Sequence, residues 1–223
     1  MTLLDFPGHV ACTVFLGGCD LRCPFCHNYE LADGSAPSVM DDQELLKFLS
    51  KRQGLLDGVA ITGGEPCLRP DLPDLLREIR ALGFKTKLDT NGFHPELLSR
   101  LLSEGLVDYT AVDIKNSAAK YAVTCGLQEL DLRPLNETIS LLVGGDYDYE
   151  FRTTVVKEFH EASDFDEIGR LILGAKRYFL QCFTDRDSVP FDGLHAPTAD
   201  ELKAYADIAR KYVPETEIRG VDL

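Results

Sequence analysis

Positive charge is in short supply in this sequence: 23 Lys and Arg stand against 37 Asp and Glu, a formal net charge of −14 over 223 residues. A face that neutralises phosphates needs clustered Lys and Arg. No basic block occurs, so no nucleic acid partner is expected. Long apolar runs are missing as well. None reaches the ~18 residues of a membrane helix, and the first eight residues lack the charged-then-apolar order of a signal peptide. The chain is therefore expected to be cytoplasmic, with no membrane association. No linker or low-complexity stretch interrupts it, so residues 1–223 are read as a single domain. That length supports a core without disulfide staples, and the acidic balance reads as a solvated surface.

Cysteine is not scarce. There are seven, and Cys19, Cys23 and Cys26 crowd into eight residues. In a cytosolic protein such crowding points to metal or redox chemistry rather than to disulfides. Cys12, Cys67, Cys125 and Cys182 are scattered and read as small buried hydrophobes.

Short β-rich runs alternate with helical periods. Strands are expected at 11–16, 58–62, 85–89, 109–114, 151–156 and 178–183, with a final short one at 217–219. Helical spacing is clearest in Leu72, Leu75, Leu76, Ile79 and Leu82, with Gly83 past the end. Capping boxes are expected at Asp41 with Glu44 and at Thr198 with Glu201. Alternation at this spacing implies βαβ units and a parallel sheet. About six units are present, too few for a complete eight-unit barrel. Four polar motifs each follow a strand: Cys19 to Cys26, Gly63-Gly64-Glu65, Asp89-Thr90-Asn91 and Asp113-Ile114-Lys115. Sites in parallel α/β architectures form at strand carboxyl ends, so these four are expected to face one pocket.

The cysteine spacing is C-x3-C-x2-C. Thiolates suit Fe–S clusters and zinc. Three local ligands on a four-iron cubane would leave one iron open to a substrate. A structural zinc site would need a fourth ligand, for which His27 or Cys12 could be proposed, and a four-Cys electron-transfer cluster is a further alternative. No second C-x2-C is present to complete a paired zinc knuckle.

With the downstream motifs included, the sequence closely resembles the radical S-adenosylmethionine (SAM) superfamily. Within it the chain looks like the activating enzymes of glycyl-radical enzymes. Asp5-Phe6-Pro7-Gly8 matches their D-x-P-G element and Cys26-His27-Asn28 their C-H-N. Gly63-Gly64-Glu65, Asp89-Thr90-Asn91-Gly92 and Asp113-Ile114-Lys115 match G-G-E, D-T-N-G and D-[LI]-K. By pattern it is most similar to the activating proteins of anaerobic ribonucleoside-triphosphate reductase. Relatives carry a short segment before D-x-P-G, whereas this chain starts four residues ahead of Asp5. A trimmed chain and a short first strand are the two readings of that difference.

The resemblance implies an α/β fold, a partial (β/α)6 TIM barrel of the radical SAM type. It implies one 4Fe–4S cluster on Cys19, Cys23 and Cys26, with SAM on the open iron. Gly63, Gly64 and Glu65 would serve the SAM amino group, Lys115 beside Asp113 and Ile114 its carboxylate, and Phe25 and His27 its adenine. Asp89, Thr90 and Asp113 would border SAM and offer oxygen ligands to a monovalent cation. Asp5 would meet the substrate peptide; as a plain turn cap it would have no such role. Arg152 and Gln181 lie on later strands, where reaching the pocket and pairing inside the barrel are both open. An electron from flavodoxin or ferredoxin would lead to SAM cleavage, and the resulting 5′-deoxyadenosyl radical would remove hydrogen from a glycine Cα of a partner enzyme, anaerobic ribonucleotide reductase or similar. The rivals are a radical SAM enzyme acting on a small molecule, of the deazaguanine-forming type, and a non-enzymatic Fe–S or zinc module.

Overall fold

The computed structural model describes residues 2–221; residues 1, 222 and 223 of the expected domain lie outside it. Strand β1 (Ala11–Leu16) leads through helices α1 (Tyr29–Ala32) and α2 (Asp42–Ser50) to β2 (Gly58–Gly63). A 3-10 turn at Pro66–Leu68 precedes α3 (Leu72–Ala81), β3 (Lys85–Thr90), α4 (Pro95–Ser103) and β4 (Tyr109–Asp113). Then come α5 (Tyr121–Thr124), α6 (Arg133–Gly144), β5 (Tyr149–Val155), α7 (Ala162–Leu171), β6 (Tyr178–Cys182), α8 (Ala199–Ala209) and β7 (Thr216–Arg219).

The seven strands pair in parallel and in chain order, from β1 at one edge to β7 at the other. Parallel neighbours need crossover connections. Six strand–helix units supply them and β7 follows, which is the partial (β/α)6 barrel expected. Helix α3 illustrates how the sequence period becomes packing: Leu72, Leu75, Leu76 and Ile79 are buried, while Asp74, Arg77 and Glu78 face outward. Gly83 adopts φ +90° just beyond it, the left-handed region that stops a helix and favours glycine. Both expected capping boxes form, Asp41 with Glu44 and Thr198 with Glu201, each cap worth ~1 kcal/mol. Helices α1 and α5 have four residues each, too few to show a period, and the sequence did not announce them.

Side chains alternate across the strands. Toward the helices, Ile61, Leu88, Val112, Phe151 and Tyr178 are fully buried. On the opposite, inner side stand Lys87, Asp89, Asp113, Glu150 and Arg152. The buried Glu150 fastens the last strand: Arg219 donates to its two oxygens at 2.9 and 3.0 Å, and the Tyr109 hydroxyl donates at 2.9 Å. Among the described residues no helix is long and apolar enough to cross a membrane.

Candidate functional site

The cysteine loop leaves β1 through Gly17 and Gly18. The Gly18 N–H donates to the Leu31 carbonyl at 2.7 Å, and the Arg22 N–H to the Cys125 carbonyl at 2.9 Å. Inside the loop the Cys26 N–H donates to the Cys23 carbonyl at 3.1 Å and the Leu21 N–H to Cys19 Sγ at 3.4 Å. The end of β2 presses on this loop. A Cβ at Gly64 would lie 2.0 Å from the Gly18 carbonyl oxygen, and one at Gly63, whose φ is +124°, 2.2 Å from that of Leu16. Both glycines are thus needed for backbone to pass backbone, whatever else approaches them.

Glu65 is almost fully buried. Its Oε1 accepts from the Cys67 N–H at 2.9 Å and the Thr90 hydroxyl at 2.8 Å, and its Oε2 from the Asn91 N–H at 2.6 Å. Burial pushes its pKa up, against those three donors. The carboxylate therefore ties the end of β2 to the end of β3. Asn28 adds a tie of its own, donating from Nδ2 to the Gly63 carbonyl at 3.1 Å.

A chain of charges crosses the inner side at the ends of β3, β4 and β5. Lys87 donates to Asp89; Arg152 donates to Asp89 at 3.3 Å and to Asp113 at 2.9 Å; Lys115 donates to Asp113 at 2.9 Å. Burial acts to raise the Asp113 pKa, but the charges of Arg152 and Lys115 outweigh it and hold the carboxyl well below its usual range. Lys115 is shifted up: burial opposes this, and Asp113 prevails. Three cations meet two carboxylates here, so Asp89 and Asp113 already carry protein charge. Thr90 turns away from them toward Glu65. The three residues expected around a monovalent cation are therefore not gathered about a common point.

The remaining expected residues divide. His27 stacks on Phe183 with ring centroids 5.6 Å apart, and its Nε2–H donates to the Thr184 carbonyl at 2.6 Å. Phe25 is buried against Phe159, and Ile114 is fully buried in the core, so neither presents its side chain to open space. Asp5 is exposed and accepts from the Thr13 hydroxyl at 2.6 Å. Gln181 is half-buried on β6. The sequence reading missed Asp20, His94 and His160. His160 Nε2–H donates to the Lys115 carbonyl at 2.9 Å, and an isolated histidine gives no sequence signal for such a contact. A cavity of about 1380 Å³ runs along the open edge of β1 beside Phe15, Val39 and Met40. None of the expected site residues lines it, so chemistry rather than cavity size locates the site.

The donor set fits a 4Fe–4S cluster. It comprises three sulfur donors on one loop, one of them receiving an N–H, with the Lys115 charge favouring all three thiolates. Burial pushes Cys19 up to about 12 and raises Cys26. Cys23 is lowered to about 7, chiefly by the neighbouring Cys125 thiol. Among the described residues no three His, Cys, Asp or Glu side chains converge closely enough to hold a single ion.

Comparison with known proteins agrees with this donor set. The profile of the radical SAM superfamily matches residues 13–168, a family that uses such a cluster together with SAM. A protein of Methanocaldococcus jannaschii named as a glycyl-radical enzyme activating enzyme is 30% identical over 230 residues, covering 100% of this chain and 94% of its own. The 7-carboxy-7-deazaguanine synthase of Hyperthermus butylicus is 37% identical over 91 residues, 40% of this chain and 38% of its own. Among solved structures, Streptococcus suis SuiB bound to S-adenosylmethionine superposes with a TM-score of 0.70 at 16% identity, covering 97% of this chain. The chain spans about half, 51%, of that protein, and the likeness is one of fold.

Proposed function

The chain belongs to the radical SAM superfamily, and from that premise we propose that it is a glycyl-radical-enzyme activating enzyme. Its substrate would be a glycine Cα–H in a partner protein, an anaerobic ribonucleotide reductase or a similar glycyl-radical enzyme. The carrying observation is that a three-thiol loop after β1 lies within reach of the charge of Lys115 after β4, at the same carboxyl end of the sheet. The full-length alignment with the Methanocaldococcus jannaschii protein supports the activase class.

In this reading Cys19, Cys23 and Cys26 hold three irons of one cluster, within one domain. Bound cluster and SAM supply the reductive cleavage chemistry, fed by reduced flavodoxin or ferredoxin, and the protein binds and orients. Lys115 offers the SAM carboxylate a charge-assisted hydrogen bond. Asp113 and the His160 contact to its carbonyl keep it in place. Gly63 and Gly64 offer backbone to the SAM amino group. Glu65, with three of its lone pairs engaged, contributes mainly by fixing the strand ends. The His27 ring borders the adenine. Asp5 keeps one carboxylate oxygen for a substrate N–H. A monovalent cation at Asp89, Thr90 and Asp113 would have to compete with Lys87, Arg152 and Lys115, and the reading does not use one.

The reading is tested by anaerobic reconstitution followed by SAM and a low-potential reductant, with 5′-deoxyadenosine quantified. Wild type is expected to form it, and a reconstituted wild type that forms none would overturn the assignment. A second reading, chemistry on a small molecule, draws support from the deazaguanine-synthase relative, though over two fifths of the chain only.

A further inference from the structure

Asp20, directly after the first cysteine of the loop, is exposed, yet both its carboxylate oxygens are engaged from far along the chain. Asn91 Nδ2 donates to Oδ1 at 2.6 Å and His94 Nε2–H to Oδ2 at 3.1 Å. Asn91 is itself fixed. Its backbone N–H donates to Glu65 Oε2 at 2.6 Å, and its Oδ1 accepts the Phe93 N–H at 3.0 Å. The amide therefore has its oxygen committed and its NH2 aimed at Asp20. Asp20 is thus joined to the nearly fully buried Glu65 by hydrogen bonds that all run through Asn91.

We infer that Asp20, Asn91 and His94 form a clamp that positions the first half of the cysteine loop, with Asn91 as its fixed jaw. They are positioning residues: they touch the loop, not the reacting atoms. The inference rests on the reading of Cys19, Cys23 and Cys26 as cluster ligands. Its physical basis is that a short loop loses conformational freedom when ordered, and a charge-assisted bond from a buried anchor supplies that order.

The test is a reciprocal exchange. Asp20→Ala removes the acceptor, and Asn91→Asp sets a carboxylate against Asp20. The double variant Asp20→Asn with Asn91→Asp restores a bond of reversed polarity. Two readouts are followed without SAM or partner: amide hydrogen exchange of residues 19–26 in the apoprotein, and iron loss to a chelator from the reconstituted protein. Asp146→Ala, at the far end of the sheet before β5, serves as the charge control. Each single variant is expected to exchange faster and to lose iron roughly tenfold faster, within the range for residues sharing one hydrogen bond. The double variant is expected to recover both, and the control to match wild type. Singles indistinguishable from wild type, or an exchange that rescues neither readout, would overturn the clamp. A wild type that takes up no cluster would instead defeat the cluster reading, while the hydrogen-exchange arm still decides the clamp.

Discussion

The Arg22 N–H donates to the Cys125 carbonyl at 2.9 Å, tying the middle of the cysteine loop to the end of α5. That contact is made by backbone and does not need the Cys125 thiol. Cys125→Ala is therefore expected to keep the full iron content of wild type after anaerobic reconstitution. Cys19→Ala, Cys23→Ala and Cys26→Ala are each expected to lose the 4Fe–4S absorption and the 5′-deoxyadenosine product. Loss of iron in Cys125→Ala would make the open iron position untenable.

The close passage of β2 over the loop gives a backbone prediction. Gly64→Ala places a methyl 2.0 Å from the Gly18 carbonyl oxygen, and nothing there is a flexible side-chain tip. Gly83→Ala also strains the chain, at φ +90°, but into open space, a cost of ~1–2 kcal/mol. By urea denaturation Gly64→Ala is expected to lose more stability than Gly83→Ala, and to lose cluster uptake with it. Equal losses in the two variants would count against the passage.

Lys115 is the residue proposed to hold the SAM carboxylate. Lys115→Ala removes a charge-assisted hydrogen bond, worth ~1.5–3 kcal/mol, or roughly 10- to 150-fold in SAM affinity. Calorimetry on the reconstituted protein reads this directly, and unchanged affinity would remove Lys115 from the site.

Asp113 sets a pH dependence. Its folded pKa lies below the ordinary carboxylate value of ~3.9, because Arg152 and Lys115 outweigh burial. The stability it contributes is therefore full above that value and is lost as pH falls toward the lowered one. Asp113→Asn is expected to cost ~1–3 kcal/mol at pH 7, less than a fully buried pair because the side chain is partly exposed. The difference from wild type should hold constant down to about pH 4 and shrink only below it. A difference independent of pH would mean that Asp113 acts through packing alone.

The architecture was legible where periods are long. Leu72 through Ile79 repeat at helical spacing, and the strands ending at Leu16, Gly63, Thr90 and Asp113 each stop at a polar motif, so sheet order and site location followed together. What stayed hidden depends on pairs distant in sequence. Asp20 and Asn91 are 71 residues apart, and no local pattern announces that an exposed acid meets a half-turn amide. Arg152 was left open because a strand arginine reads alike whether it pairs inside the barrel or lines the pocket; here it bridges Asp89 and Asp113. The motif residues Phe25 and Ile114 turned out to be core, since a motif specifies neighbourhood and not which way each side chain points.

The central claim is that the substrate is a protein glycine. Its most direct test incubates the reconstituted wild-type enzyme anaerobically with SAM, reductant and candidate anaerobic ribonucleotide reductases, and reads the partner by electron paramagnetic resonance. The account predicts a glycyl radical on the cognate partner, formed together with 5′-deoxyadenosine and absent with Cys26→Ala. Cleavage of SAM coupled to turnover of a small molecule, with no radical on any such partner, would contradict it.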